Sequence, residues 1–174
     1  MDSFDEHWYE EYFGPDYLLI DLHQNTAREV DFLREALCLE KGKRLLDVGC
    51  GYGRHLAPLL ESGVDAWGCD LSEFMLCEAA KHIRAARRTL APDARRGMPR
   101  GNRLICCDNR GLPFRRSFDC AINMFNSFGY FPDECDNFLM LAEIADVLRP
   151  GGLFLLDQVN RDFILRHLTH RDWF

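Results

Sequence analysis

The chain has 174 residues, 47% of them hydrophobic and 28% charged, and a formal net charge of −7. Such a length suits one domain that buries well over half of its unfolded surface. The acidic balance excludes a uniform attraction to nucleic acid or to an anionic membrane, and no apolar stretch is long enough to span a bilayer.

The first residues, MDSFDEHWYE, lack a basic stretch followed by an apolar one and are not expected to be a signal peptide. Thr26 and Glu29 have the spacing of a capping box, and Val30, Leu33 and Leu37 then recur at helical period. Gly42 reads as a stop. Residues 44–48 form a short apolar run of strand length. Three glycines follow, and 54–61 reads as a helix in which Pro58 is tolerable only near the first turn. A second strand is expected at 64–69, then a helix capped by Ser72 and running to about 88.

Residues 89–103 form a loop rich in Gly, Pro and Arg. Arg84, Arg87, Arg88, Arg95, Arg96, Arg100 and Arg103 cluster around it. No aromatic residue interleaves, so a solvated loop is expected rather than a single-strand nucleic-acid platform. Strands are expected at 103–107 and 118–124. A helix over 133–148 should bury Leu141, Ala145 and Leu148. Pro150-Gly151-Gly152 breaks the chain before a fifth strand at 153–159, and a last helix runs to about 168. Strands alternating with helices predict an α/β, doubly wound, mostly parallel sheet of about five strands. Ligands of such sheets bind at the carboxyl edge, where strand order reverses.

Eight cysteines, at 38, 50, 69, 77, 106, 107, 120 and 135, contain no CxxC pair and fall mostly in apolar segments. Reduced core thiols in a cytoplasmic protein are expected, and no metal site, since zinc ligands come in paired spacings.

Gly49, Gly51 and Gly53 follow the first strand as G-x-G-x-G. The dinucleotide fingerprint is G-x-G-x-x-G, so a nicotinamide-dependent oxidoreductase is disfavoured, and no Gly-Lys-Ser/Thr follows as in a P-loop. LLDVGCGYG instead resembles the first motif of class I S-adenosylmethionine-dependent methyltransferases. GCDLSEFML, LICCDNRGLPF, SFDCAINMFNSFGYF and VLRPGGLFLLDQVN are similar to the family's later blocks, in the family's order, over about residues 40–160.

The resemblance implies a Rossmann-like fold, S-adenosylmethionine as cofactor with S-adenosylhomocysteine as product, and the family's binding roles. Gly49, Gly51 and Gly53 would let backbone amides approach the cofactor closely. Asp70, 23 residues after Asp47, suits the ribose hydroxyls as an acceptor-only carboxylate. Leu71 and Met75 would flank the adenine, Asp108 would accept from its amino group, and the Asn109 backbone would meet a ring nitrogen. Asp47 would hold the loop or meet the amino-acid end through water. The Asn123 carbonyl would meet the ammonium. Residues 1–40 are then expected as an N-terminal helical cap and 41–174 as the cofactor-binding methyltransferase domain, in one compact unit.

Methyl transfer is a displacement that needs chiefly alignment, so the acceptor leaves little signature. Two aromatic groups are candidate walls: Trp8, Tyr9, Tyr12, Phe13 and Tyr17 before the first strand, and Phe125, Phe128, Tyr130 and Phe131 after the fourth. His55, Asp157 and His7 are base candidates, and none is assigned as catalytic. DNA amino-methylating enzymes of this fold carry an Asn/Asp-Pro-Pro-aromatic run where this chain has Asn123-Met124-Phe125-Asn126. A small-molecule acceptor is therefore expected, and nucleic acid is not. Family members continue past the fifth strand with a helix and an antiparallel strand pair, which are expected to be absent here. A fragment, or a fifth-strand edge covered by a second copy or a partner, is the corresponding expectation. The alternative function is a non-catalytic cofactor-binding module or a truncated regulatory subunit.

Overall fold

In the computed structural model, which describes residues 12–20, 23–90, 92, 98, 101 and 103–167, the neighbours Leu45 and Leu46 are both wholly buried yet enter different cores. Side chains alternate along a strand, so a strand covered on both faces feeds two cores in turn. The elements run α1 (Tyr17–Ile20), α2 (Thr26–Ala36), β1 (Arg44–Val48), α3 (Leu56–Glu61), β2 (Asp65–Asp70), α4 (Glu73–Thr89), β3 (Leu104–Cys106), β4 (Phe118–Asn123), α5 (Glu134–Val147), β5 (Leu148–Leu156) and α6 (Arg161–His167). The strands form one sheet in the order β3-β2-β1-β4-β5, parallel throughout.

On one face, Leu45, Ala66 and Ile122 pack with Val30 and Leu33 of α2, Leu56 and Leu59 of α3, and Leu76 of α4. On the other, Leu46, Val48 and Ala121 pack with Met140, Ile144 and Val147 of α5. Each fully buried leucine contributes about 2 kcal/mol. Among the described residues no helix is long and apolar enough to cross a membrane. His7, Trp8, Tyr9, Arg95, Arg96 and Arg100 lie outside the described residues.

Several expected boundaries move, each for a physical reason. Pro58 is the third residue of α3, where no intrahelical amide is required of it. Ser72 caps α4, its hydroxyl accepting from the Met75 amide at 3.3 Å. The expected capping box at Thr26 does not form. Asn25 is the N-cap, and Thr26 and Glu29 turn instead to Arg54. The buried stripe of α5 is Met140, Ile144 and Val147, one residue out of phase with the expected Leu141, Ala145 and Leu148. That helix is apolar around most of its girth, with Phe138 and Leu139 exposed, so its pattern leaves the phase open. The fifth strand starts at Leu148 rather than 153. Leu148 pairs with Phe118 and Leu153 with Cys120, so the Pro-Gly-Gly run is a bulge within β5 and not a break before it.

Candidate functional site

β1 and β4 lie side by side, and the chain leaves them toward opposite ends of the sheet. Their carboxyl ends therefore part the connecting loops and leave a crevice. A cavity of about 770 Å³ opens there. Asp47, Gly49, Gly51, Asp70, Leu71, Met75, Asp108 and Asn109 line it, whereas Gly53 and Asn123 do not.

The glycine loop works by shape. Gly49, Gly51 and Gly53 have φ of 73°, 52° and 74°, the left-handed region open to glycine. The amides expected to face a ligand are spent within the protein. Gly49 and Cys50 both donate to the Cys69 carbonyl at 2.9 Å, Gly51 donates to Asp70 Oδ2 at 2.8 Å, and Gly53 donates to the Cys50 carbonyl at 2.9 Å. A Cβ on Gly49 would lie 2.8 Å from Ser127 Cβ, and one on Gly53 would lie 2.9 Å from Ala79 Cβ. Gly53 thus serves close packing of the loop on α4. Gly51 has nothing within 4 Å of its missing Cβ and stands open to the cavity.

Two carboxylates form the floor. Asp70 ends β2 and accepts from the Gly51 amide at 2.8 Å and the Ser72 amide at 2.9 Å. Burial pushes its carboxyl up, and the amides of Ser72, Gly51 and Leu71 pull it partly back. Asp47, 1% exposed, keeps Oδ2 without a hydrogen-bond partner. Burial first, and the charge of Asp70 next, push its carboxyl up to about 7, against a pull downward from Arg54.

At the far end, Leu71 is 39% exposed and Met75 is buried. Asp108 is gripped by Arg110, with Nη2 to Oδ2 at 2.6 Å and Nε to both oxygens at 3.1 Å. Burial alone would raise the Asp108 carboxyl; the Arg110 bonds hold it below its ordinary range. Arg110 also reaches Asp136 at 2.6 Å and lies 4.6 Å from the Phe131 ring centre. It ties the β3 exit to the start of α5 across the rim.

Asn123 corrects an expectation. It is 0% exposed, its carbonyl accepts the Asp157 amide at 2.9 Å, and its Nδ2 donates to the Val48 carbonyl at 2.7 Å. It locks β4 between its neighbours instead of facing the cavity. The lining begins one residue later, at Met124. Phe125 and Asn126 both hold φ of 59°, which is strained for phenylalanine and one that asparagine adopts readily. Asp157 sustains this turn. Its Oδ2 accepts from the Phe125 amide at 3.1 Å, and its carbonyl accepts from the Asn126 amide at 3.3 Å. Asp157 itself does not line the cavity, so its place is that of a support and not of a base.

His55, one of the base candidates, is buried. It is 4% exposed, lines the cavity, and sets Nε2 at 2.9 Å from Glu29 Oε2. Burial, then Arg54, lower its affinity for a proton, and Glu29 opposes them. Arg54 donates through Nη1 to Glu29 and to Thr26 Oγ1, the latter at 3.1 Å, and lies 5.3 Å from the Phe125 ring centre. The Glu29–Arg54–His55 group joins α2 to the loop exit. Sequence reading missed it because Glu29 fitted a local cap, although a basic pair directly after the glycines was a signal for an acidic partner.

The two aromatic groups meet. Phe13 and Tyr130 lie 6.0 Å apart edge to face, Phe13 and Tyr17 5.2 Å, and His23 and Phe125 4.0 Å. Tyr12, Phe13, Tyr17, Phe125, Tyr130 and Phe131 line the cavity, and Phe128 packs into the core below.

A family model described as a methyltransferase domain matches residues 45–152. The glycine N-methyltransferase of Rattus norvegicus is 33% identical over 149 residues, 83% of this chain and 50% of that protein. The glycine/sarcosine N-methyltransferase of Halorhodospira halochloris is 33% identical over 151 residues, 86% of this chain and 52% of that protein. The chain thus spans about half the length of these curated relatives. In fold, it resembles a crystal structure of an S-adenosylmethionine-dependent methyltransferase from Clostridium acetobutylicum ATCC 824. The TM-score is 0.63 and the identity 23%, over 92% of this chain and 58% of that one.

Proposed function

The chain belongs to the class I S-adenosylmethionine-dependent methyltransferases, and we propose that it methylates an amine nitrogen of a small molecule. The observation that carries this reading is one cavity bounded by two unlike walls. The glycine loop and acidic floor form one wall, and the aromatic cluster forms the other. Relatives named for N-methylation of glycine and sarcosine support nitrogen as the acceptor atom.

The cofactor supplies an electrophilic methyl group on a sulfonium. Several features of the chain fit it. Asp47 Oδ2 is a buried acceptor without a partner, suited to an ammonium. Asp70 retains lone pairs for two hydroxyls beside the amides that it already accepts. Leu71 and Met75 offer apolar surface to a purine, and the Asn109 backbone an edge contact. Gly49 and Gly51 keep the floor free of side chains. Asp108 shares its carboxylate with Arg110, so an adenine amino group would take a remaining lone pair. The aromatic wall can exclude water and face a cation, which favours alignment of an amine with the methyl group.

Residues 1–40 serve in this reading as a cap, supported by Tyr12, Phe13 and Tyr17 in the lining. Eight free cysteines support a reducing compartment, the cytoplasm. Exposed Leu153 and Leu156 on β5 support a covering second copy or partner. A monomer mass by light scattering at micromolar concentration would count against that last point.

Calorimetric titration with S-adenosylhomocysteine tests the cofactor site. Wild type is expected to bind in the micromolar range, about −8 kcal/mol, and Asp70→Ala to lose at least tenfold. Transfer of labelled methyl to glycine, sarcosine or a panel of small amines tests the acceptor. Labelling of hydroxyl or thiol acceptors alone would overturn the nitrogen assignment.

A further inference from the structure

Two thiols sit directly beside carboxylates of the crevice, yet outside the cavity lining. Cys69 precedes Asp70 in β2, and Cys107 precedes Asp108 just past the end of β3. The parallel register pairs Cys69 with Ile105 and Asp70 with Cys106, and the Cys107 amide donates to the Asp70 carbonyl at 3.1 Å. Side chains alternate along a strand, so residues 69, 105 and 107 share one face. Cys69 and Cys107 both pack into the core on that face, and their thiols interact directly.

The pair is unequal. Cys69 is wholly buried, and Cys107 is half-buried. The Cys69 thiol holds that of Cys107 below its ordinary range, against burial and the charges of Asp108 and Asp70. Cys69 is pushed the opposite way, by Cys107 first and by burial next. Such a pair divides the steps of thiol oxidation. The more acidic, more accessible sulfur attacks the oxidant, and the buried one resolves the product. Cys106 is more exposed, but alternation turns it away from Cys69. Its thiol donates to the Leu71 carbonyl at 3.5 Å, and burial, then Glu73, push it up.

Diagonal positions on neighbouring strands set their Cα atoms about 7 to 8 Å apart, whereas a disulfide is most at ease at about 6 Å. Closing the bond therefore requires the backbone to move. β2 is held between two strands, while β3 is an edge strand of only three residues. Cys107 is thus the partner that yields. Drawing it toward Cys69 strains its amide bond to Asp70 and carries Asp108 and Asn109 with it.

We propose that Cys69 and Cys107 form a reversible disulfide that releases the cofactor when the protein meets a peroxide. The Cys107 thiolate attacks one peroxide oxygen, the O–O bond breaks, and hydroxide leaves a sulfenic acid on Cys107. The Cys69 thiol then attacks that sulfur and displaces its oxygen as water. The two thiols give up two hydrogens and two electrons, and the peroxide becomes two waters. A thiol reductant reverses the step by exchange. The release of cofactor rests on the methyltransferase reading, in which Asp108 and Asn109 serve the adenine. The disulfide itself does not.

Reduced and hydrogen peroxide-treated protein are to be compared by mass spectrometry after alkylation and by calorimetric titration with S-adenosylhomocysteine. Treated wild type is expected to carry the Cys69–Cys107 cross-link, to bind about tenfold more weakly, and to recover with dithiothreitol. Cys69→Ala and Cys107→Ala are expected to bind like reduced wild type before and after treatment. Should Cys69→Ala fail to fold, Cys107→Ala at the half-buried position carries the test.

A cross-link that leaves the affinity unchanged overturns the proposal, and so does a loss of affinity that persists in Cys107→Ala. Reduced wild type that folds but does not bind S-adenosylhomocysteine overturns the methyltransferase reading, and the cofactor release with it. The cross-link is read without any cofactor, so its absence from treated wild type overturns this inference alone.

Discussion

The two sides of the crevice are held in different ways. On the β1–β2 side, the loop amides are committed within the protein: those of residues 49, 50, 51 and 53 end on backbone carbonyls or on the Asp70 carboxylate. Four of the five residues of β1 are buried. On the β4–β5 side, β5 has no buried residue, and the rim is a strained turn kept in place by Asp157 and Asn126. A cofactor common to a family asks for a rigid seat. An acceptor that varies asks for a wall whose side chains can change without unmaking the sheet. Perturbations should therefore cost more on the first side than on the second.

The largest effect is expected at Asp47. Its carboxyl sits at about 7 in the folded protein, against 3.8 ordinarily. Between those values the unfolded chain has released a proton that the native protein keeps, so the contribution of Asp47 to stability falls as pH rises, and it levels off above about 7. The full effect is about 4 kcal/mol. Asp47→Asn is expected to flatten that dependence and to be more stable than wild type at pH 8 in urea melts. A stability difference between wild type and Asp47→Asn that does not fall from about pH 4 to 7 would show that Asp47 is not held protonated. A cationic ligand prefers the ionised carboxylate. Binding of S-adenosylmethionine at pH 6.5 is therefore expected to release a proton, seen as a buffer-dependent heat.

Next come the glycines. Gly49→Ala combines a left-handed backbone with a Cβ 2.8 Å from Ser127 Cβ, where the two sides of the crevice meet. About 3 kcal/mol of destabilisation is expected, with the urea midpoint lowered and the slope unchanged. Gly51→Ala meets nothing within 4 Å and carries only the left-handed penalty, about 1 kcal/mol. Equal costs for the two variants would mean that backbone strain alone sets them, and that Gly49 is not where the sides interlock.

The same division governs what the sequence made legible. The glycine loop, Asp70 at the end of β2 and the Ser72 cap are local features, in which residues near in sequence bond to one another. Reading them needed no knowledge of the rest of the chain. Thr26 and Glu29 misled because a capping box and a long-range ion pair ask for the same residue types. Only the approach of Arg54, 25 residues after Glu29, decides between them. The inward-facing amides were equally hidden, since glycine spacing reports permitted φ and not the direction of an N–H. Asn123 was misplaced by a single residue at a strand end, where one step exchanges a sheet-bonded carbonyl for a cavity wall.

The smallest effect is expected on the acceptor side, at Asn126. Its φ of 59° favours glycine, while its Oδ1 accepts from the Val159 amide at 2.5 Å. Asn126→Gly relieves the backbone and loses the bond, and both residues are on the accessible rim, where water can take the bond over. The two changes oppose, so a net effect within about 0.5 kcal/mol is expected. Asn126→Ala adds strain, because alanine tolerates this φ less well than asparagine, and loses the bond, for a cost of about 1 to 2 kcal/mol. Chemical denaturation of the pair separates backbone from side chain. A glycine variant as unstable as the alanine one would show that the bond to Val159 holds the turn. Strain would then add nothing, and the two sides of the crevice would differ less than their hydrogen bonding indicates. A glycine variant at least as stable as wild type, still binding S-adenosylhomocysteine but altered in its choice of amine, would place specificity in this turn and leave the cofactor seat untouched.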